Sequence, residues 1–129
     1  MKIEHIAIWT QNLEQLKAFY ETYFGAQVGS KYVNRDKAFE SYFLSFSSGA
    51  RLELMQSPKV ADPPGGSDTQ LTGYAHLAFS VGSKEHVQSL TTRLGADGYK
   101  VISPPRVTGD GYYESVVLDP DGNRIEITL

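Results

Sequence analysis

A shift of 71 residues lays the first part of the chain on the second, and this internal repeat constrains the fold more than any other feature. It carries His5 onto His76, Ala7 onto Ala78, Asn12 onto Ser83, Leu16 onto Val87, Phe19 onto Leu90 and Tyr23 onto Leu94. Further along, a shift of 73 carries Gly49 onto Gly122, Arg51 onto Arg124 and Glu53 onto Glu126. A two-residue length change between these blocks reconciles the shifts. Such a chain holds one supersecondary unit twice. A unit of about 60 residues buries little surface alone, so the two are expected to pack as a pair.

Each half reads strand, helix, strand, strand, strand. Over residues 3–9 the alternation puts Glu4, Ile6 and Ile8 on one face and Ile3, His5, Ala7 and Trp9 on the other, which is a strand. Asn12 stands as a helix N-cap with Gln15 at the capping-box position. Leu13, Leu16, Phe19, Tyr20, Tyr23 and Phe24 follow at helical spacing and Gly25 closes the run, predicting a helix over 13–24. Strand character returns at 27–33, 39–47 and 50–56, with a turn at Ser47-Ser48-Gly49. Residues 57–72 hold three prolines and two glycines and form a connector.

In the second half a strand spans 74–81, with His76 on the face of Tyr74, Ala78 and Ser80. Ser83 caps a helix whose buried stripe is Val87, Leu90 and Leu94 and which Gly95 closes. Strands are expected near 99–103, at 111–119 and at 124–128, the last two joined by the turn Asp119-Pro120-Asp121-Gly122. The last turn has acidic residues but lacks the ligand spacing of a calcium loop. The predicted class is α+β, with module one at about 1–56 and module two at about 73–129 of a single domain.

The repeat also singles out four polar residues: His5, Glu53, His76 and Glu126. Each is read as lying within a strand and away from its more apolar face. Glu53 sits between Leu52 and Leu54, and Glu126 between Ile125 and Ile127. A carboxylate among strand aliphatics is costly when buried without a partner, and two at matching positions beside two matching histidines point to a shared purpose. Imidazoles and carboxylates suit Zn²⁺, Ni²⁺, Co²⁺, Fe²⁺ and Mn²⁺. Four such ligands on an octahedral ion leave two positions for water or substrate, as a catalytic metal requires. Solvated strand faces are the plainer alternative. His86 has no duplicate and reads as a surface residue, and Arg51 and Arg124 read as ion-pair partners or contacts for a substrate anion. Trp9, Tyr42, Phe46, Tyr112 and Tyr113 suit either a pocket or a core.

Several classes are excluded. With 12 basic and 15 acidic residues, a net charge of −3 and no basic cluster, neither nucleic acid nor an anionic membrane is an expected partner. There is no cysteine, which removes disulfides, thiolate metal sites and cysteine nucleophiles. No P-loop, dinucleotide glycine fingerprint or nucleophile elbow occurs. Met1-Lys2-Ile3-Glu4-His5 lacks the pattern of a signal peptide and no run of about 18 apolar residues follows, so a soluble cytoplasmic protein is expected.

The chain resembles the vicinal oxygen chelate superfamily, the glyoxalase/bleomycin resistance/dioxygenase group. The resemblance rests on Ile3-Glu4-His5-Ile6-Ala7-Ile8 with the Phe19-Tyr20 helix and Phe24-Gly25, on His76-Leu77-Ala78-Phe79-Ser80-Val81, and on Asp119-Pro120-Asp121-Gly122-Asn123-Arg124-Ile125-Glu126. It implies paired βαβββ modules forming an eight-stranded, incompletely closed mixed sheet around a metal cleft. Within the group the quartet resembles that of glyoxalase I, which isomerises the hemithioacetal of methylglyoxal and glutathione. That likeness implies a lyase or isomerase in which His5, Glu53, His76 and Glu126 bind a divalent transition metal and Glu126 is also the base. It further implies a small-molecule substrate, a glutathione adduct being one candidate, and a homodimer. Where bacterial glyoxalase I usually has a glutathione-holding arginine and asparagine, this chain has Trp9 and Ser57. The alternatives are an epimerase, a fosfomycin-modifying enzyme or a dioxygenase of the same fold, or a metal-free sequestering protein of the bleomycin-resistance kind.

Overall fold

The computed structural model describes residues 1–62, 64–65 and 69–129. Within the connector expected at 57–72, residues 63 and 66–68 lie outside the described residues. Two compact units divide the chain, Met1–Pro64 and Gly65–Leu129.

The first unit runs β1 (His5–Trp9), α1 (Leu13–Phe24), β2 (Gln27–Val28), β3 (Tyr32–Asn34), β4 (Phe39–Ser45) and β5 (Arg51–Gln56). α1 has the predicted bounds because both ends are fixed locally. The Asn12 side chain accepts from the Gln15 backbone N–H at 3.1 Å, and Gly25 takes the left-handed conformation (φ 64°) that ends the helix. The sheet order is β1-β5-β4-β2, with β3 also on β4. β1 and β5 are parallel, whereas β4 is antiparallel to β5, β2 and β3. Leu13, Leu16, Phe19 and Tyr20 of α1 and Leu44, Leu52 and Leu54 of the sheet are buried, so one sheet face is covered by the helix.

The second unit runs β6 (Leu77–Ser80), α2 (Lys84–Ala96), β7 (Val101–Val107), β8 (Tyr113–Leu118) and β9 (Arg124–Thr128), with sheet order β6-β9-β8-β7. β6 and β9 are parallel, as β1 and β5 are. Val87, Leu90 and Leu94 of α2 are buried, as are Val117, Ile125 and Ile127 of the sheet. Thr91 ties helix to sheet: its hydroxyl donates to the Val87 carbonyl at 2.6 Å and lies 2.6 Å from the Ser115 hydroxyl.

The α+β class and the two βαβββ modules are as the sequence predicts, and four local readings differ. The segment expected as one strand over 27–33 is two short strands, broken at Gly29-Ser30-Lys31, so nine strands are present among the described residues. β6 begins at Leu77 and not at Tyr74, which is fully exposed. β7 extends to Val107 through Pro104 and Pro105, tolerable because it is an edge strand with register shifts against β8. Gly95 does not close α2, which continues to Ala96, and the left-handed residue is Gly98 (φ 93°). A Cβ on Gly95 would stand 3.4 Å from Val101 Cγ2, in contact with β7.

The turn before β9 is held by the nearly buried Asp119. Its carboxylate accepts from the backbone N–H of Asp121 (3.0 Å) and Asn123 (2.8 Å) and from the Asn123 side-chain amide (2.9 Å). Gly122 completes it with φ 84°. Removing three acceptor contacts leaves partly buried donors unmatched, at a cost of about 1–3 kcal/mol. Asp119→Ala is therefore expected to lower the thermal midpoint by about 4–12 °C, read by circular dichroism, without changing the spectrum of the folded protein.

Candidate metal centre

The parallel pairing in each unit fixes where its histidine and glutamate stand. In the first sheet Ala7 is level with Glu53 and His5 with Arg51, so His5 and Glu53 are diagonal neighbours on one face. In the second, Ala78 is level with Glu126, and His76 lies two residues before Ala78. His5 Nε2 is 3.9 Å from Glu53 Oε2, and His76 Nε2 is 3.5 Å from Glu126 Oε2. The residue opposite each glutamate is an exposed alanine, which leaves the space above the carboxylate open. The histidine side chains are 41% and 46% exposed and the carboxylates 15% and 17%, so the imidazoles reach outward while the carboxylates sit lower.

These pairs fit a metal. Two adjacent ligands with bonds of about 2.1 Å are about 3.0–3.5 Å apart, and the observed gaps need only a small closure. Within neither unit do three or more His, Asp or Glu side chains gather as a metal-holding group among the described residues; each unit supplies one pair. His5 begins β1, Glu53 and Glu126 lie inside β5 and β9, and His76 stands one residue before β6, not within it as expected.

Outer contacts orient the first pair. The Glu4 carboxylate accepts from His5 Nδ1, which puts the neutral imidazole's lone pair on Nε2, the atom facing Glu53. Arg51 in turn holds Glu4, through Nε at 2.8 Å and through Nη2. The His5 bond, and after it the Arg51 bond, keep the Glu4 carboxyl below the usual range. The Arg51 guanidinium stacks 4.2 Å over Phe43, whose ring also meets His5 edge to face at 5.4 Å. Of the two roles open for Arg51 in the sequence, the structure shows the ion-pair partner.

The second pair is braced from its glutamate. Glu114 on β8 shares a face with Glu126, and Arg106 Nη1 on β7 lies 3.7 Å from the Glu114 carboxylate. Burial, and then the charge and hydrogen bond of Glu126, push the Glu114 carboxyl above the usual range. Sequence reasoning missed Glu114 and Glu4. An acid inside the run Tyr113-Glu114-Ser115-Val116-Val117-Leu118 was the available signal for the first.

The other candidates separate by face. Tyr42 donates to Glu14 of α1 at 3.1 Å, and Tyr113 accepts from Gln88 of α2 at 2.7 Å, so both stand on helix-facing sides. His86 is exposed and its Nδ1 lies 3.1 Å from the Val81 carbonyl. Trp9, by contrast, is on the His5 face, edge to face with Phe39 at 6.0 Å.

Two units of this topology, each with a His–Glu pair on its uncovered face, define a protein of paired βαβββ modules. The chain belongs to the glyoxalase/bleomycin resistance protein/dioxygenase superfamily, whose model matches residues 2–127. It is 40% identical over 58 residues to YqjT of Bacillus subtilis (strain 168), a stretch covering 43% of this chain and 45% of that one. It is 29% identical over 126 residues to YwkD of the same organism, covering 97% and 94%. Glyoxalase I from Zea mays shares the fold with a TM-score of 0.80 at 22% identity, over 98% of this chain and 44% of that one. The match thus spans less than half of YqjT, and the chain covers less than half of the maize enzyme. No helix among the described residues is long and apolar enough to cross a membrane.

The contact of Glu4 with His5 makes a prediction that needs no metal. At pH 8, long-range ¹H–¹⁵N spectra are expected to show His5 protonated on Nδ1, and Glu4→Ala to shift it toward the Nε2–H tautomer, leaving His86 unchanged.

Proposed function

We propose that His5, Glu53, His76 and Glu126 hold one divalent transition metal, and that the protein is a lyase or isomerase of glyoxalase I type. The observation that carries this reading is the same His–Glu diagonal in both units, 3.9 and 3.5 Å across, on sheet faces that the helices leave uncovered. The family supports it, since its fold is shared with a glyoxalase I.

The substrate carries two adjacent oxygens on neighbouring carbons and binds through them. When bound, the metal supplies a Lewis acid for the negative charge that develops on those oxygens. The imidazoles of His5 and His76 would hold the metal through Nε2, and in the neutral His5 ring the Glu4 contact on Nδ1 leaves the lone pair on Nε2. Glu126 takes the proton as one C–H bond breaks and returns it to the adjacent carbon, so no net proton is gained or lost. At 17% exposure its side chain is shielded enough to limit exchange with water. Two copies of the chain form the working unit in this reading, and the protein acts in the cytoplasm.

Elemental analysis is expected to find one Ni²⁺, Co²⁺, Zn²⁺ or Mn²⁺ per chain in the purified protein. His5→Ala and His76→Ala are expected to weaken uptake by at least about 10-fold. Metal-loaded protein is expected to turn over a 2-oxoaldehyde hemithioacetal, with Glu126→Gln losing about 100-fold or more in kcat. Protein that takes up none of the four metals, and gains no thermal stability from them, would instead be a sequestering protein on the same fold.

A further inference from the structure

The two units keep the same His–Glu pair but differ in what surrounds it. Trp9 corresponds to Ser80, Met55 to Thr128 and Ser41 to Glu114. At two of these three positions, Trp9 and Met55, the first unit is apolar where the second is polar. The strand itself does not require Trp9, because β6 forms with serine at the same place. Nor does the core require it, since Trp9 is 45% exposed. Trp9 meets Phe39 edge to face at 6.0 Å, and Phe39 meets Tyr32, itself 54% exposed, at 6.0 Å. Three rings from β1, β4 and β3 thus make one wall.

The wall is continuous with the metal pair. Trp9 is on the His5 face of β1, two residues beyond the Ala7 that stands level with Glu53. Two strand residues span about 7 Å. A molecule with its chelating oxygens at His5 and Glu53 therefore reaches the rings through a spacer of two or three atoms. Glutathione, a charged peptide, gains little from three aromatic faces, whereas a flat apolar group gains area and edge-to-face contact.

Building on the metal-site reading above, we propose that Trp9, Phe39 and Tyr32 set the substrate class: a chelating hydroxycarbonyl compound whose non-reacting end is an aromatic or similarly planar apolar group. Trp9 is the single tryptophan of the chain, so its fluorescence reports on this wall alone. The test compares 3-phenylpropanohydroxamate with acetohydroxamate on metal-loaded protein, by calorimetry and Trp9 fluorescence. The aryl compound is expected to bind at least 10-fold tighter and to change the Trp9 emission. Trp9→Ala and Phe39→Ala are expected to erase that preference while metal content and the acetohydroxamate affinity stay the same, and Trp9→Phe to restore most of it. Equal affinities, or an aryl preference that survives both alanine variants, overturn the proposal and leave the metal reading intact. Should the protein take up no metal, the metal reading falls and 3-phenylpropanol is used as a non-chelating probe. Saturable quenching of Trp9 by it supports the wall as a planar-group site, and no response overturns it.

Discussion

Parallel pairing of the first and last strands of each unit is the constraint on which the rest depends. Side chains in a strand alternate between faces, so once Ala7 stands level with Glu53, the His5 ring and the Glu53 carboxylate are diagonal neighbours on one face. The same register, Ala78 with Glu126, repeats the arrangement in the second sheet. A one-residue slip would send each glutamate into the helix-covered core and bring Leu54 or Ile127 to the open face. Such a slip is opposed by the burial of Leu52, Leu54, Ile125 and Ile127, each worth about 1.5–3 kcal/mol. The packing that stabilises each sheet therefore also sets its histidine and glutamate side by side.

Around this shared frame the two halves have diverged. In the first, Glu4 and Arg51 brace the histidine, and aromatic rings line the same face. In the second, Glu114 and Arg106 stand behind the glutamate. Equivalent positions thus have different surroundings: one unit orients an imidazole, and the other sets a second acid, itself near Arg106, beside its glutamate. The unequal burial of imidazoles and carboxylates follows the same logic. The carboxylates sit low in the sheet face, while the histidines stand further out.

Local signals were legible where they were self-contained. Asn12 and Gly25 bound α1 because capping needs only residues within one turn, and the Asp119 turn closes with partners no more than four residues away. The misreadings share one cause. Gly95 resembles a terminator, but α2 runs on to Ala96 and the left-handed turn falls at Gly98. Pro104 and Pro105 argue against a strand until β7 is known to be an edge. His76 alternates as if in a strand, yet β6 pairs only from Leu77.

The sequence by itself determined the duplicated βαβββ order, the two amphipathic helices and the identity of the four repeated polar residues, because periodicity and self-similarity are properties of the chain alone. Tertiary structure decided the 3.9 and 3.5 Å approaches, the bracing of His5 by Glu4 and Arg51, and the nearness of Glu114 to Glu126. Glu4 and Arg51 are 47 residues apart, and nothing local reveals that they touch. Only strand register, fixed by burial of the opposite face, brings such pairs together.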